Sequence, residues 1–138
     1  MSDDYETAVR RRLAEQERGS WRETLRADFA PWLDDILWGF DCGDGWQAIV
    51  RALLEDIARL IGGPDRYPGL RVTTVKQKHG TLRVYLLATP REHSRAIDAA
   101  IARAEAKSTC TCETCGKPGR LRQSRGGWWH TACRRHAL

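Results

Sequence analysis

No stretch of this 138-residue chain approaches 18 uncharged apolar residues, and its longest apolar runs are four or five residues. A membrane-spanning helix is therefore excluded. The opening residues, Met1-Ser2-Asp3-Asp4-Tyr5-Glu6, are acidic and contain no apolar segment. That pattern excludes an ordinary secretory signal and predicts a cytoplasmic protein. The motifs of several enzyme classes are missing. There is no G-x-x-x-x-G-K-[ST] phosphate loop, no H-E-x-x-H helix and no G-x-S-x-G turn. The H-x-E pattern of zinc deaminases is missing too, because His93 is followed by Ser94 and Arg95. A nuclease would need histidines and acids around a second metal, and after Glu105 the only acid is Glu113. A cysteine nucleophile at Cys42 would need His79 or His93 beside it. These absences predict a binding protein and not an enzyme.

What the chain does have is unevenly placed charge. Its 23 Lys+Arg and 18 Asp+Glu give a formal net charge of +5. Residues 1–69 carry net −5, residues 70–106 net +4, and residues 107–138 net +6. An acidic first half meets a basic second half. Such asymmetry suits a polyanionic partner, and it equally suits plain solvation of a small module.

Cysteine is as unevenly placed. Cys42 stands alone early, while Cys110, Cys112, Cys115 and Cys133 fall in the last 29 residues. An odd count in a chain read as cytoplasmic speaks against a disulfide framework. The spacing speaks for a metal. Cys112-Glu113-Thr114-Cys115-Gly116 is a C-x-x-C-G knuckle, a tight turn that brings two thiolates to one ion. Cys133-Arg134-Arg135-His136 is a C-x-x-H pair, whose i and i+3 side chains share a helical face. Three thiolates and one imidazole suit a closed, tetrahedral, structural Zn²⁺ site, one ion per chain. Cys110 and His130 are competing ligands. A C-x-C chelate from Cys110 would be strained, and His130 reads better as a packing or hydrogen-bonding histidine beside Trp128 and Trp129. The glycine-rich tail has few aliphatic residues, so the ion is expected to hold it folded.

The body reads as mixed helix and hairpin. Residues 3–18 carry Tyr5, Ala8, Val9 and Leu13 at helical spacing, and Gly19 ends that segment. Ser20-Trp21-Arg22-Glu23 matches a capping box for a helix over 21–38, kinked or broken at Pro31. Trp32, Leu33, Ile36 and Leu37 continue its spacing, and its three tryptophans are expected in the core. Gly39 to Gly45 reads as a loop, with Asp44 capping the next helix and Gln47 at its N3 position. Residues 46–61 form the strongest helix pattern, with Trp46, Ile49, Val50, Leu53, Leu54, Ile57, Leu60 and Ile61 on one face. Gly62-Gly63-Pro64 stops it. Asp41 and Asp44 lack the spacing of a calcium loop, and Cys42 reads as a small loop or core residue.

Residues 71–78 and 81–87 predict an antiparallel hairpin about His79-Gly80. A two-residue turn sets Val75 opposite Val84, Thr73 opposite Leu86 and Gln77 opposite Leu82 on the inner face. The other face then carries Lys76, Lys78, Arg83 and Tyr85, a set able to hold a nucleic-acid backbone or an acidic protein. Thr89-Pro90-Arg91-Glu92 opens a helix over 90–107 that buries Ile97, Ala100, Ile101 and Ala104. No flexible linker follows it, so a metal module over 108–138 is expected to dock on a body over 1–107.

Four segments together carry a resemblance: Gly43-Asp44-Gly45-Trp46, Val75 to Tyr85, Cys112 to Gly119, and Trp129-x-Thr131-x-Cys133-x-x-His136. In combination the chain resembles a set of small, uncharacterised bacterial and phage proteins. The resemblance covers residues 43–138 and implies architecture, not a task. The metal segment alone is similar to a treble-clef finger: a knuckle, a hairpin around 116–129, and a helix starting near Thr131. The expected fold is therefore α+β, helices on an antiparallel hairpin with a C-terminal treble-clef zinc module.

The expected function is nucleic-acid binding, DNA or RNA. Lys76, Lys78, Arg83 and Tyr85 would act on the hairpin. Arg120, Arg122, Arg125, Trp128, Trp129, Arg134 and Arg135 would act around the zinc. The alternative is a protein-binding module, such as a toxin-neutralising immunity protein or a phage or bacterial regulator. Asp34, Asp35, Asp41 and Asp44 would then form the contact surface. One contiguous positive face favours the first reading; arginines paired with the acidic half favour the second.

Overall fold

The computed structural model describes residues 2–36 and 38–138, so Leu37 lies outside the described residues. The first helix, α1 (Ser2–Glu17), keeps little of its apolar stripe inside. Tyr5 and Ala8 are exposed, and Val9 and Leu13 are half-buried. The helix is tied down at its last residue. Glu17 is buried and takes Arg26 Nε and Nη2 on its two carboxylate oxygens. The same guanidinium donates to the carbonyls of Leu33 at 2.8 Å and Ile36 at 3.0 Å. A half-buried arginine fork that meets both the buried carboxylate and free carbonyls leaves no charge uncompensated.

Helix α2 (Trp21–Asp28) starts on half of the expected capping box. Ser20 Oγ accepts the Arg22 amide at 3.2 Å, while Glu23 reaches back to the Gly19 amide at 3.4 Å and not to Ser20. The helix does not resume after Pro31. Residues 29–35 run as turns, with a cis peptide between Ala30 and Pro31. Trp32, Leu33 and Ile36 are fully buried, and Trp32 Nε1 donates to the Tyr67 carbonyl at 2.7 Å. The other two tryptophans correct the expectation of a shared core: Trp21 is half-buried and Trp38 is 79% exposed. With the helix broken, its 3.6-residue spacing no longer aims them at one face.

A short strand stands where a loop was expected. β1 (Phe40–Asp41) pairs in parallel with β2 (Arg71–Lys78), Phe40 opposite Val75. Helix α3 (Gln47–Ile61) then buries Ile49, Val50, Leu53, Leu54, Ile57 and Ile61 along one face. Gly62 ends it in the left-handed conformation, φ +96°, and one further turn, α4 (Gly63–Arg66), follows.

β2 and β3 (Thr81–Leu87) form the expected hairpin. His79 and Gly80 both have positive φ, as a two-residue primed turn requires. Val75 opposes Val84, Lys76 opposes Arg83 and Gln77 opposes Leu82. One pairing fails. A bulge between Val72 and Thr74 puts Val72, not Thr73, opposite Leu86. The bulge lets Val72 and Val75, three apart, both be buried, which regular alternation forbids. Pro90 leads into one 3-10 turn before α5 (Ser94–Ser108), so that helix begins later than expected. α5 buries Ile97, Ala100 and Ala104 and packs against α3 and β3. The last elements are the hairpin strands β4 (Arg120–Gln123) and β5 (Trp129–Ala132).

Candidate metal centre

The four residues singled out by spacing come together. One ligand atom from each of Cys112, Cys115, Cys133 and His136 lies within 4.8 Å of all the others. The edges fit a tetrahedron. Bond lengths of about 2.3 Å for Zn–S and 2.0–2.1 Å for Zn–N imply edges of about 3.8 Å between sulfurs and about 3.6 Å from sulfur to nitrogen. Cys115 Sγ and Cys133 Sγ are 3.8 Å apart, far beyond a disulfide bond. His136 Nδ1 is 3.7 Å from Cys112 Sγ and 3.2 Å from Cys133 Sγ. The ligating nitrogen is thus Nδ1, which leaves the ring proton on Nε2. The donor set and separations are compatible with zinc.

Local backbone geometry builds the two halves. In the knuckle, the Gly116 amide closes on the Cys112 carbonyl at 2.9 Å, with Gly116 at φ +80°. Burial pushes the Cys112 thiol up, but the amides of Cys133, Cys115 and Thr114 outweigh it and bring it down to about 6. His136 is raised, first by its hydrogen bond to Cys133. Metal ligation needs both groups deprotonated, and the cluster of sulfur-directed amides prepares one of them. In the second half, β5 runs through Thr131 and Ala132, and only a 3-10 turn, Arg134–His136, follows Cys133. The helix expected near Thr131 is therefore a strand and a single turn. That turn suffices, because i and i+3 superpose in a 3-10 helix.

The competing ligands lie elsewhere. Cys110 is exposed and its Sγ faces the Lys107 carbonyl at 3.4 Å. His130 Nε2 accepts the Leu138 amide at 3.2 Å, and its Nδ1 is buried with no partner among the described residues. Cys42 is buried in the core, where desolvation and then the Glu113 charge push its thiol up to about 12. It is an inert packing residue.

No family model, curated protein or solved structure matches the chain. What the centre does is read from its own contacts.

Those contacts give the Gly43–Trp46 loop a role. The Gly45 amide donates to the Glu113 carbonyl at 2.7 Å, and Glu113 Oε2 accepts the Gly43 amide at 2.9 Å. Trp46, fully buried, donates from Nε1 to the Thr111 carbonyl at 2.8 Å. A Cβ on Gly45 would lie 2.1 Å from the Cys112 carbonyl oxygen. The loop is the seat of the metal knuckle, backbone against backbone. The expected Asp44 cap on α3 is not made; its carboxylate takes Trp21 Nε1 at 2.8 Å and Arg22 Nη1 at 3.1 Å. The Trp21 indole first, then Arg22, hold that carboxyl below its ordinary value.

The β2–β3 turn forms a second seat. Thr131 Oγ1 donates to the Gly80 carbonyl at 2.7 Å, and a Cβ on Gly80 would lie 2.8 Å from the His130 nitrogen. Ser108 Oγ accepts the Leu82 amide at 3.0 Å. Spacing alone could not find Glu113, Gly45 or Gly80 as docking residues, although the glycines beside Trp46 and His79 marked the places.

The expected basic residues fall into two groups. On the β2–β3 hairpin, Arg83 pairs with Glu105 at 3.5 Å, and Lys76 lies 5.9 Å from the Tyr85 ring centre with Asp41 as its strand neighbour. Lys78 is exposed and Tyr85 is 46% exposed. Around the metal, Arg120, Arg122, Arg125, Arg134 and Arg135 make no ion pair with any described residue. Arg120, Arg122 and Arg134 line a surface cleft of about 330 Å³ beside Cys133. Trp128 is 77% exposed and Trp129 44%.

Proposed function

We propose that the chain is a non-enzymatic nucleic-acid-binding protein whose basic surface is built by one structural Zn²⁺. The supporting observation is the distribution of ion pairs. The acids of the first half meet arginines of the first half: Glu17 with Arg26, Asp28 with Arg51, Asp44 with Arg22, and Asp56 with Arg59. Asp35 takes Arg10 and, as one cross-pairing from the second half, Arg71. Among the described residues, the arginines of the metal module are left free of acids. Its one acid, Glu113, is turned inward onto the Gly43 amide.

The ion itself leaves most of that charge in place. Zn²⁺ with three thiolates and a neutral imidazole carries net −1, against +6 for residues 107–138. That offsets the charge of one of the five arginines around the ion, and about four remain to meet phosphates. Knuckle, hairpin and terminal turn follow the order of a treble-clef finger, shortened at its helix. Two exposed tryptophans beside free arginines are the mixture that nucleic-acid surfaces use.

Titration of DNA and RNA oligonucleotides at low and moderate salt tests this reading. Binding is expected at low salt. Its logarithm should fall linearly with the logarithm of salt, with a slope near −3 to −4 for about four phosphate contacts. Absence of binding at low salt contradicts it. The protein-binding alternative has one observation of its own. Tyr5, Val9, Leu13 and Trp38 line a largely apolar groove of about 410 Å³ on α1. The acids proposed for that role are less available, since Asp35 and Asp44 are already paired.

A further inference from the structure

We propose that the β4–β5 hairpin selects single-stranded over duplex nucleic acid. An unpaired base would stack on Trp128, and the flanking phosphates would lie in the cleft of Arg120, Arg122 and Arg134. The inference rests on the nucleic-acid reading and deepens it. Its first ground is exposure. Trp128 presents 77% of its surface to solvent, at the end of a hairpin whose neighbours Gly126 and Gly127 carry no side chains. A bare indole is costly in water and rewarding only when covered. Base faces cover it well, and in a duplex those faces are already stacked on each other.

The second ground is placement. Arg120 and Arg122 are two apart on β4, so their side chains leave the same face of the strand. Arg134 closes the cleft from the metal turn. The Ser124 amide donates to the Trp128 carbonyl at 2.8 Å, which places Trp128 just past the far end of that strand. From residue 120 to residue 124 a strand covers about 13 Å at roughly 3.3 Å per residue. A stacked single strand advances about 3.4 Å per nucleotide, so a segment of roughly four nucleotides reaches from cleft to indole. Phosphate binding by the arginines is indifferent to strandedness; the indole supplies the difference.

The third ground is the ring's lack of other work. Among the described residues Trp128 makes only backbone hydrogen bonds, through its amide to Ser124 Oγ and its carbonyl to the Ser124 amide. Trp32 and Trp46, by contrast, are buried with their indole nitrogens bonded to carbonyls.

The test uses the metal-loaded full chain. Fluorescein-labelled oligo-dT, oligo-rU and a duplex of equal length are titrated at one low salt concentration. The wild type should bind either single strand more tightly than the duplex and show quenched indole fluorescence on saturation. Trp128→Ala should weaken single-strand binding by about five- to 150-fold, the span of base–aromatic stacking, and collapse the preference toward one. Trp128→Phe should restore most of it. Unchanged metal content shows that the variants keep the module. Equal or tighter duplex binding by the wild type overturns the inference and leaves the nucleic-acid reading standing. So does a preference that survives Trp128→Ala. No binding to any of the three overturns both.

Discussion

Replacing Cys115 with serine should abolish stoichiometric metal binding and unfold residues 108–138. A serine hydroxyl stays protonated where a thiolate binds zinc, so the tetrahedron loses one corner. Beyond the hydrogen bonds of its two seats, the segment has little apolar core of its own. Its buried residues are Ser108, Cys112, Thr131 and Ala132, and none but Cys112 and Ala132 is apolar. The contiguous core ends at Ala104. Structural zinc supplies on the order of 10–16 kcal/mol in small finger peptides, several times what four small residues can bury. Metal analysis should therefore fall well below one ion per chain. Amide exchange should become fast over the knuckle, β4 and β5. Protection should persist in α3 and in β2–β3, whose cores do not depend on the ion. The loosened knuckle should also free the Gly43 and Gly45 amides, which Glu113 holds. A serine variant that keeps one ion and a protected tail would contradict the site.

Gly45→Ala should destabilise the protein by roughly 3 kcal/mol or more, the upper end for forced overpacking. The new methyl would meet the Cys112 carbonyl oxygen at 2.1 Å and the Glu113 carbonyl carbon and oxygen at 2.6 Å. All three are backbone atoms of the knuckle, so no side chain can swing away. Relief requires the loop and the knuckle to part, which breaks the Gly45–Glu113 hydrogen bond and uncovers Trp46. Gly69→Ala is the matched control. Its Cβ would meet nothing within 4 Å, and the change should stay within about 0.5 kcal/mol. Urea midpoints of the two variants separate the cases. Similar midpoints would mean that the loop does not seat the knuckle.

The ligands were readable because their signal is local. Cys112 with Cys115, and Cys133 with His136, each lie three apart, and each pair needs one turn of backbone to converge. The same holds for α3, whose apolar period is unbroken, and for the hairpin as far as the bulge at Thr73. What sequence could not show depends on distant partners. β1 has two residues, too few for any period, and exists because Val75 and Lys76 present a free strand edge. Asp44 carries the chemistry of a cap, yet Trp21 and Arg22 claim it from α2. Trp38 has core chemistry and lies in water because the chain turns after Pro31 instead of continuing as helix. The charge balance behaved the same way. Net charge per segment was countable, but which arginines lack an acid followed only from seeing Arg22, Arg26 and Arg71 meet acids while the metal module's arginines meet none among the described residues.

The proposed role joins a metal to a surface, so the most direct measurement follows both at once. Zinc is added stepwise to the metal-free protein at low salt, with a labelled single-stranded oligonucleotide present as the reporter. Binding should rise with added zinc and level off at one ion per chain. Full-strength binding before any zinc is added, or no binding at the plateau, would contradict a zinc-built nucleic-acid surface.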